Sequence, residues 1–539
     1  MSVVLDTARA TVRRLPLRHA MVGAAGLSAM LIAGGTALGF VRDLLMAHRF
    51  GASGSTDAFL VSWTIPETVS PLLIEDAMAL VMVPAVTRAM AGPDGVRPLV
   101  RSTLPRLVLT LALVAVGTAL AAPWLVAALA PGLTDTADAV QCVRWTSVTV
   151  LAFGVTGFMN ATLRAHHCFG PPAAIYLAYN VGILTAIVTL TGRLGVVSAA
   201  IGVAGGSLLM AAVQAPAFAR RLRAAPRPPA GPRSRSAAAR PELLAVVPVI
   251  VYTLTRQSQV LAERFLGSGL AAGSISYLNY AQKVAQVPMV LSLLIVTVTF
   301  PRLARASADR DTDGMRRRIE ADIVVVGGLV LCAVAFLTAF APAIVGLLFQ
   351  HGNFTAADTS RTALILRIYS LGLWGQAMVG VSARALFARS QPLWRPALCV
   401  AAGLAVTVVF GALLVGRFGA VALAAGNALG ITIAALLLLA GVRARVAPIG
   451  LRRLGPDVAR LLAAAACAAA VGAMLARSFP PGLPLPLQLA GGACTVTAVV
   501  ALVLGATRRG GPTLGFRALA ADEATGAGSA PGVPRGEAP

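Results

Sequence analysis

The sequence is poor in charged residues and almost free of lysine. Charged side chains make up 12% of its 539 residues, whereas soluble globular domains carry about 25%. Hydrophobic residues account for 57% of the chain, and the mean hydropathy is +0.80. This balance excludes a water-soluble fold of such length. Apolar runs of about 20 residues, long enough to span the hydrocarbon core of a bilayer, recur between residues 21 and 506.

The scarcity of lysine limits the energy source that a transporter with this sequence can use. An ATP-driven pump needs a phosphate-binding loop with a Gly-Lys-Ser/Thr sequence, and the only lysine, Lys283, lies between Gln282 and Val284. Nor is any polar segment long enough for an enzyme domain. We therefore predict that the protein is not an enzyme and that it transports at the expense of an ion gradient, the membrane potential or the gradient of its substrate.

Cysteine is also scarce, and its spacing predicts no site. The six cysteines are scattered, mostly inside apolar runs, with neither zinc-ligand nor disulfide-framework spacing. The pair His166-His167 adjoins Cys168 but has no carboxylate cluster at ligand spacing. We predict no metal site and no cofactor, apart from a coupling cation (H⁺ or Na⁺).

What is abundant is arginine, and it is distributed unevenly. Hydropathy predicts fourteen spans. Loops that alternate across them hold 34 arginines on one side and five on the other, the asymmetry of the positive-inside rule. Both termini are therefore predicted to be cytoplasmic, and nucleic-acid binding is excluded. The predicted spans start near residues 21, 57, 103, 139, 172, 199, 242, 275, 320, 362, 396, 419, 458 and 485.

An internal repeat divides the chain at an Arg/Pro-rich stretch. Ala122-Pro123 recurs as Ala341-Pro342, and Arg164 with Pro171 recurs as Arg389 with Pro396. We predict an all-α polytopic membrane protein with two pseudo-repeated six-helix lobes, both in the same orientation, and two further C-terminal helices. The predicted boundaries are a cytoplasmic N-terminus (1–20), an N-lobe (21–219), a cytoplasmic linker (220–240), a C-lobe (241–445), the last two spans (446–506) and a disordered cytoplasmic tail (507–539).

Several charges fall inside predicted spans, where they are costly and usually face a cavity. Arg42 beside Asp43 has two interpretations, a cavity charge or an interfacial ion pair. For Arg264 we favour a guanidinium that extends to the outer surface. Arg256 and Glu263 share a helical face and have a fixed structural pair as an alternative. Span 2 also contains Pro66 and Pro71, which a membrane tolerates only where neighbours or water satisfy the freed backbone. The other candidates are Asp57, Glu75 and Lys283.

Motifs in both halves resemble the MviN/MurJ lipid II flippase family of the MOP superfamily. The resemblance runs from about residue 21 to 506 and implies fourteen helices in two lobes around a cationic cavity. The implied cargo is lipid II, and the last two helices would line a groove for its polyprenyl tail. The motifs are Leu38-Gly-Phe-Val-Arg-Asp43, Phe50-Gly-Ala-Ser-Gly-Ser-Thr-Asp-Ala-Phe59, Ala121-Ala-Pro-Trp124, Pro131-Gly132, Asp135-Thr-Ala-Asp138, Gly273-Ser-Ile-Ser-Tyr-Leu-Asn-Tyr-Ala281 and Leu348-Phe-Gln-His-Gly-Asn-Phe-Thr355.

The resemblance also implies roles for individual residues. Arg42, Asp57 and Glu75 match charged family positions and are candidate substrate-binding residues, as is Lys283 at the position of a cavity arginine. Glu263 matches an acidic position linked to cation binding and is the candidate ion-coupling residue. Arg256 has no counterpart in the family pattern, and we add it to the substrate-binding set because it lies near the predicted bilayer centre.

Departures from the family pattern keep other functions open. Thr36, Ser70 and Pro71 stand where the family has arginines, and Gln282 and Gln286 replace acids. The first hypothesis is a lipid II flippase working by alternating access. The second is a flippase for another polyprenyl-linked glycan or an amphiphilic metabolite. The third is a non-transporting scaffold for wall synthesis. Expected partners are a polyprenyl-diphosphate-linked glycan, membrane lipids and the cell-wall synthesis machinery.

Overall fold

The computed structural model describes residues 2–75, 77–92, 95–224, 243–308, 311–387, 394–480 and 482–507. Every regular element within these ranges is a helix, so the predicted all-α fold is confirmed. The helices are α1 (Ser2–Phe50), α2 (Gly54–Ser70), a π-helix (Pro71–Glu75), α3 (Ala77–Ala91), α4 (Val96–Leu120), α5 (Ala122–Leu129), α6 (Thr136–Thr146), α7 (Val148–Ala165), α8 (Gly170–Leu194), α9 (Val197–Ala224), α10 (Leu243–Gly267), α11 (Ser274–Ala308), α12 (Thr312–Phe349), α13 (Ala356–Ser370), α14 (Leu373–Phe387), α15 (Arg395–Phe418), α16 (Ala420–Arg445), α17 (Leu451–Ser478) and α18 (Leu485–Ala506).

The number of spans differs from the prediction. Among the described residues, 11 helical segments are long and apolar enough to cross a membrane, or 12 when the bent pair α13 and α14 counts as one span. Predicted spans near 242 and 275 correspond to α10 and α11, which are not among these 12 segments. The chain is a multi-pass membrane protein, but the count of fourteen is not confirmed.

The described residues form two compact units. The first runs to Ser276 and also contains His351–Thr355, whereas the second contains the other residues from Tyr277 onward. Helix α10 thus belongs to the first unit, although the sequence repeat predicts it as the start of the C-lobe. The predicted linker and tail lie mostly outside the described residues (225–242 and 508–539), so the lobe boundaries remain a prediction.

The internal repeat is visible as two matching hairpins, one in each unit. Helices α8 and α15 each carry a proline as their second residue, and each ends at a glycine that turns the chain into the next helix. Gly195 has φ +52° and ψ −137°, and Gly419 has φ +57° and ψ −138°. Each glycine N–H closes its helix by donating to a carbonyl four residues earlier, at 3.0 and 2.8 Å.

The Ala-Pro sequences of the repeat also mark equivalent breaks. In the first unit, α4 gives way to α5 at Ala121, directly before Ala122-Pro123. In the second, the backbone of Phe340 leaves helical geometry inside α12 (φ −106°, ψ 16°), directly before Ala341-Pro342. Proline explains both breaks, because it lacks an N–H and its ring displaces the carbonyl four residues before it.

A short segment from far along the chain completes the end of α1. Gly51 and Gly352 both have positive φ, +63° and +61°. A Cβ on Gly51 would lie 2.5 Å from the carbonyl oxygen of Asn353, and one on Gly352 would lie 2.3 Å from that of His48. Asn353 N donates to His48 O at 3.0 Å, and its side-chain Nδ2 donates to Arg49 O at 2.7 Å. Two of the motifs that carry the family resemblance therefore meet within the first unit.

Candidate functional site

Two prolines each remove a backbone hydrogen bond from the second span, and side chains of other helices satisfy the carbonyls that they free. Thr146 Oγ1 donates to the carbonyl four residues before Pro66, at 3.3 Å. Gln257 Nε2 donates to the carbonyl of Glu67, the residue four positions before Pro71. These contacts provide the backbone satisfaction that a broken span requires, and they fix the segment that carries the charged residues described next.

Arg42 lies buried in the first unit with its guanidinium fully engaged. Its Nε and Nη2 donate to Asp43 Oδ1 at 3.0 and 2.7 Å, and Nη1 approaches Asn180 Oδ1 at 3.5 Å. The guanidinium lies over the ring of Trp63, 4.4 Å from its centroid, within the range of a cation–π interaction. Arg42 and Asp43 thus form a buried ion pair, and the position of this pair at the membrane interface stays a prediction.

Arg264 is buried as well, so the predicted extension of its side chain to the outer surface is wrong. Its Nη1 donates to Thr64 Oγ1 at 2.7 Å and its Nη2 to Glu67 Oε2 at 2.8 Å. A charged group away from water needs a close counter-ion, and Glu67 supplies it. The sequence prediction does not include Glu67, although a carboxylate inside an apolar span next to Pro66 is itself a signal.

Both buried arginines therefore lie against one stretch of α2. Trp63, Thr64 and Glu67 occupy adjacent turns, and Arg42 of α1 and Arg264 of α10 pack against them. We call residues 63–67 with these two arginines the arginine–α2 cluster. Arg264 also lies within electrostatic range of Asp57 and Glu263.

Glu75 lies at the end of the π-helix, exposed, and is held by a tyrosine. Tyr176 Oη donates to Glu75 Oε1 at 2.5 Å and lies 3.4 Å from Ser70 Oγ. Thr36 is exposed, and its hydroxyl donates to the carbonyl of Ile32 in its own helix. Two positions where the family pattern has arginine, Thr36 and Ser70, thus carry neutral hydroxyls.

Asp57 is buried, and its contacts are those of a helix cap. Gly273 N donates to Oδ2 at 2.7 Å, while Ser276 N and Oγ donate to Oδ1 at 2.8 and 2.6 Å. Three donors at the start of α11 thus converge on one carboxylate, an arrangement that the partial positive charge of a helix N-terminus favours. Asp57 thus caps the first residues of α11, Ser274–Ser276, which lie in the first unit. A contact of Asp57 with the substrate stays a prediction.

Helix α10 carries the other predicted charges on one face. Arg256 is exposed, and its guanidinium lies 6.0 Å from the centroid of the Tyr252 ring. Gln259 Nε2 donates to Glu263 Oε1 at 3.3 Å, and Glu263 is buried. Arg256 and Glu263 are therefore in distinct environments on the same helix, the first exposed and the second buried.

Lys283 belongs to the second unit and is half-buried on α11, directly before the buried residues Val284 and Ala285. Of the predicted site residues, the structure places Arg42 in the arginine–α2 cluster, with Asp57 and Glu263 in electrostatic range of it. Arg256 and Glu75 lie elsewhere in the same unit. Sequence reasoning missed two charged members of the cluster, Glu67 and the buried Arg264.

The sequence is similar to those of known lipid flippases. The family model described as lipid II flippase MurJ matches residues 46–486. The lipid II flippase MurJ of Burkholderia cenocepacia is 26% identical over 363 residues, covering 66% of this chain and 70% of that protein. The probable lipid II flippase MurJ of Vibrio cholerae is 26% identical over 407 residues, covering 72% and 77%.

Solved structures give the same architecture. A lipid II flippase MurJ in an inward closed conformation superposes with a TM-score of 0.74 at 18% identity, covering 88% of this chain and 98% of that one. An inward-facing multidrug resistance MATE family transporter of the MOP superfamily gives a TM-score of 0.64 at 14% identity, covering 76% and 94%. With a family match over most of its length and the fold of these transporters, the chain belongs to the lipid II flippase MurJ family.

Proposed function

We propose that the protein translocates lipid II from the cytoplasmic to the outer leaflet of the inner membrane by alternating access. The observation that carries the proposal is the family match over residues 46–486. The buried arginines and exposed Arg256 of the first unit are consistent with it, because charges at membrane depth usually serve transport.

The head group of lipid II contains a diphosphate, which requires cations. We assign its binding to Arg42, Arg256 and Lys283. Arg256 is the most accessible of these in the first unit, since it is exposed and its charge lies beside an aromatic ring. Glu75 is proposed to accept hydrogen bonds from the cargo, because its carboxylate is exposed and oriented by Tyr176.

Coupling is assigned to Glu263, with H⁺ or Na⁺ as the ion. A buried carboxylate in a transporter helix is suited to this role because a cation or proton relieves the cost of its burial. Asp57 is assigned the supporting role of holding the start of α11. The wall-synthesis machinery is a proposed partner that takes up the translocated lipid.

The decisive experiment is genetic. Depletion of the principal lipid II flippase of a host cell stops growth, and expression of this protein is expected to restore it. Purified protein in liposomes should move lipid II to the opposite leaflet, whereas Arg256→Gln and Lys283→Ala should reduce that rate at least ten-fold with unchanged membrane abundance. Arg193→Gln, an exposed arginine at the end of α8, is the matched control and should transport normally.

A second candidate cargo is favoured by one observation. Among the described residues of the first unit, the two buried arginines are ion-paired, Arg42 with Asp43 and Arg264 with Glu67, so the cluster offers little net positive charge. This balance suits another polyprenyl-linked glycan whose head group is less negatively charged. Transport of such a lipid, without lipid II transport, would establish this alternative. Movement of neither substrate would point to a scaffold for wall synthesis.

A further inference from the structure

The electrostatic surroundings of Arg264 are negative in sum. Its guanidinium forms an ion pair with Glu67 at 2.8 Å, and Asp57 and Glu263 also act on it electrostatically. One cation is thus opposed by three carboxylates on α2 and α10. Arg42 and Asp43 of the arginine–α2 cluster balance each other, so the excess of negative charge is confined to the surroundings of Arg264. A phosphorylated head group that approaches Arg264 meets repulsion from these carboxylates, and the repulsion grows with the number of negative charges on the head group.

Glu67 is the most exposed of the three carboxylates. Its side chain is 20% exposed, whereas that of Arg264 behind it is 6% exposed. Asp57 and Glu263 are buried, and the carboxylate of Asp57 is occupied by the start of α11. The pair thus presents its negative member outward and shields its positive member.

The orientation of this pair is fixed by its neighbours. Gln257 of α10 holds the backbone carbonyl of Glu67, and Thr64 holds the second arm of the Arg264 guanidinium at 2.7 Å. Because the Glu67 backbone and the Arg264 guanidinium are both held, the carboxylate stays paired with Arg264 while remaining the more exposed member of the pair.

We propose that Glu67 is a specificity-determining residue that weakens binding of a prenyl-linked head group in proportion to the negative charge of that head group. Glu67 acts through its own negative charge and through the ion pair that occupies the guanidinium of Arg264. The proposal rests on the proposed function, since it takes a prenyl phosphate or diphosphate as the ligand of the transport site. Its consequence is a site that releases a diphosphate more readily than its arginines alone would allow.

The test compares two probes that differ only in head-group charge, farnesyl phosphate and farnesyl diphosphate. Their dissociation constants are measured with the purified full chain in lipid nanodiscs, at fixed ionic strength and without divalent cations. Glu67→Gln should bind the diphosphate roughly ten-fold more tightly than the unsubstituted protein, and the monophosphate only roughly three-fold, because the repulsion removed scales with ligand charge.

Three variants separate charge from structure. Glu67→Asp keeps the charge and should bind like the unsubstituted protein. Thr64→Val removes a neutral contact of Arg264 and should give no gain. The double variant Glu67→Gln/Arg264→Gln removes one charge of each sign, leaves no unpaired buried arginine, and should return the diphosphate affinity to within about three-fold of the original, the size of the smaller effect expected above.

The outcomes distinguish the two proposals. Binding by the unsubstituted protein with no gain in Glu67→Gln, or with an equal gain for both probes, would overturn the inference and leave the proposed function standing. The inference also fails if Glu67→Asp gains as much affinity as Glu67→Gln. If Glu67→Gln does not fold, the double variant provides the test. A ratio of diphosphate to monophosphate affinity that differs from the ratio in the unsubstituted protein overturns the inference. Absence of binding of either probe to every variant would overturn both proposals.

Discussion

The two buried arginines differ in how far the sequence can predict their surroundings. Arg42 is adjacent to Asp43, so an ion pair between them is one of two interpretations that sequence alone supports. Arg264 and Glu67 are 197 residues apart, and nothing in their local sequence indicates that α10 lies against α2. From hydropathy alone, an intramembrane arginine near a helix end is expected to extend its side chain to the membrane surface. Only the packed structure shows that Arg264 has a partner.

The Arg42–Asp43 pair leads to a test at the residue scale. Asp43→Asn leaves a buried guanidinium without its counter-ion and should destabilise the protein by about 3 kcal/mol. The double variant Arg42→Gln/Asp43→Asn replaces both charges and should recover most of that loss. Thermal unfolding of the purified protein in detergent measures the effect. Equal stability of the three proteins would contradict the pairing.

Transport by the same double variant addresses the role of Arg42. A folded double variant that no longer moves lipid II would support a direct contact of Arg42 with the cargo. Normal transport would restrict Arg42 to holding α1 against Trp63 and Asn180.

At the scale of the helices, the predictable part is what proline and glycine dictate. Pro171 and Pro396 mark the starts of α8 and α15, and the Ala-Pro sequences mark breaks in α4–α5 and α12. The π-helix at Pro71–Glu75 is not predictable in this way. The carbonyl of Glu67, four residues before Pro71, accepts from Gln257, which is 190 residues away along the chain, and no local pattern reveals that contact.

The repeated hairpins lead to a test at this scale. Gly195→Ala or Gly419→Ala should destabilise the protein by about 1–3 kcal/mol, because their φ and ψ lie where an L side chain is strained. No atom lies within 4 Å of a Cβ built at either position, so the cost is backbone strain alone. Unfolding midpoints in detergent measure it.

A matched control lies three residues away. Gly192 is helical and likewise has no atom within 4 Å of an added Cβ, so Gly192→Ala should be neutral or stabilise by up to about 1 kcal/mol. A loss at Gly192 equal to that at Gly195 would show that crowding by lipid or protein, and not φ, governs this hairpin.

At the scale of the whole molecule, orientation follows from the arginines. Loops between the fourteen predicted spans hold 34 arginines on one side and five on the other, and positively charged loops are retained in the cytoplasm. Reporter fusions after residues 135, 270 and 355 should therefore read as extracytoplasmic, and fusions near 230 and 310 as cytoplasmic. A reversed reading at 230 or 270 would refute the assignment of spans.

The contact between Asn353 and the end of α1 has a consequence for biosynthesis. The bond from Asn353 to Arg49 joins residues 304 positions apart. At about 5–20 residues per second, the ribosome needs roughly 15–60 s to make the intervening chain. During that interval the turn at Gly51 lacks the backbone segment around Asn353, so the C-terminal end of α1 stays incomplete. Chaperones and insertases that attend a nascent membrane chain would meet an exposed turn there for that whole interval.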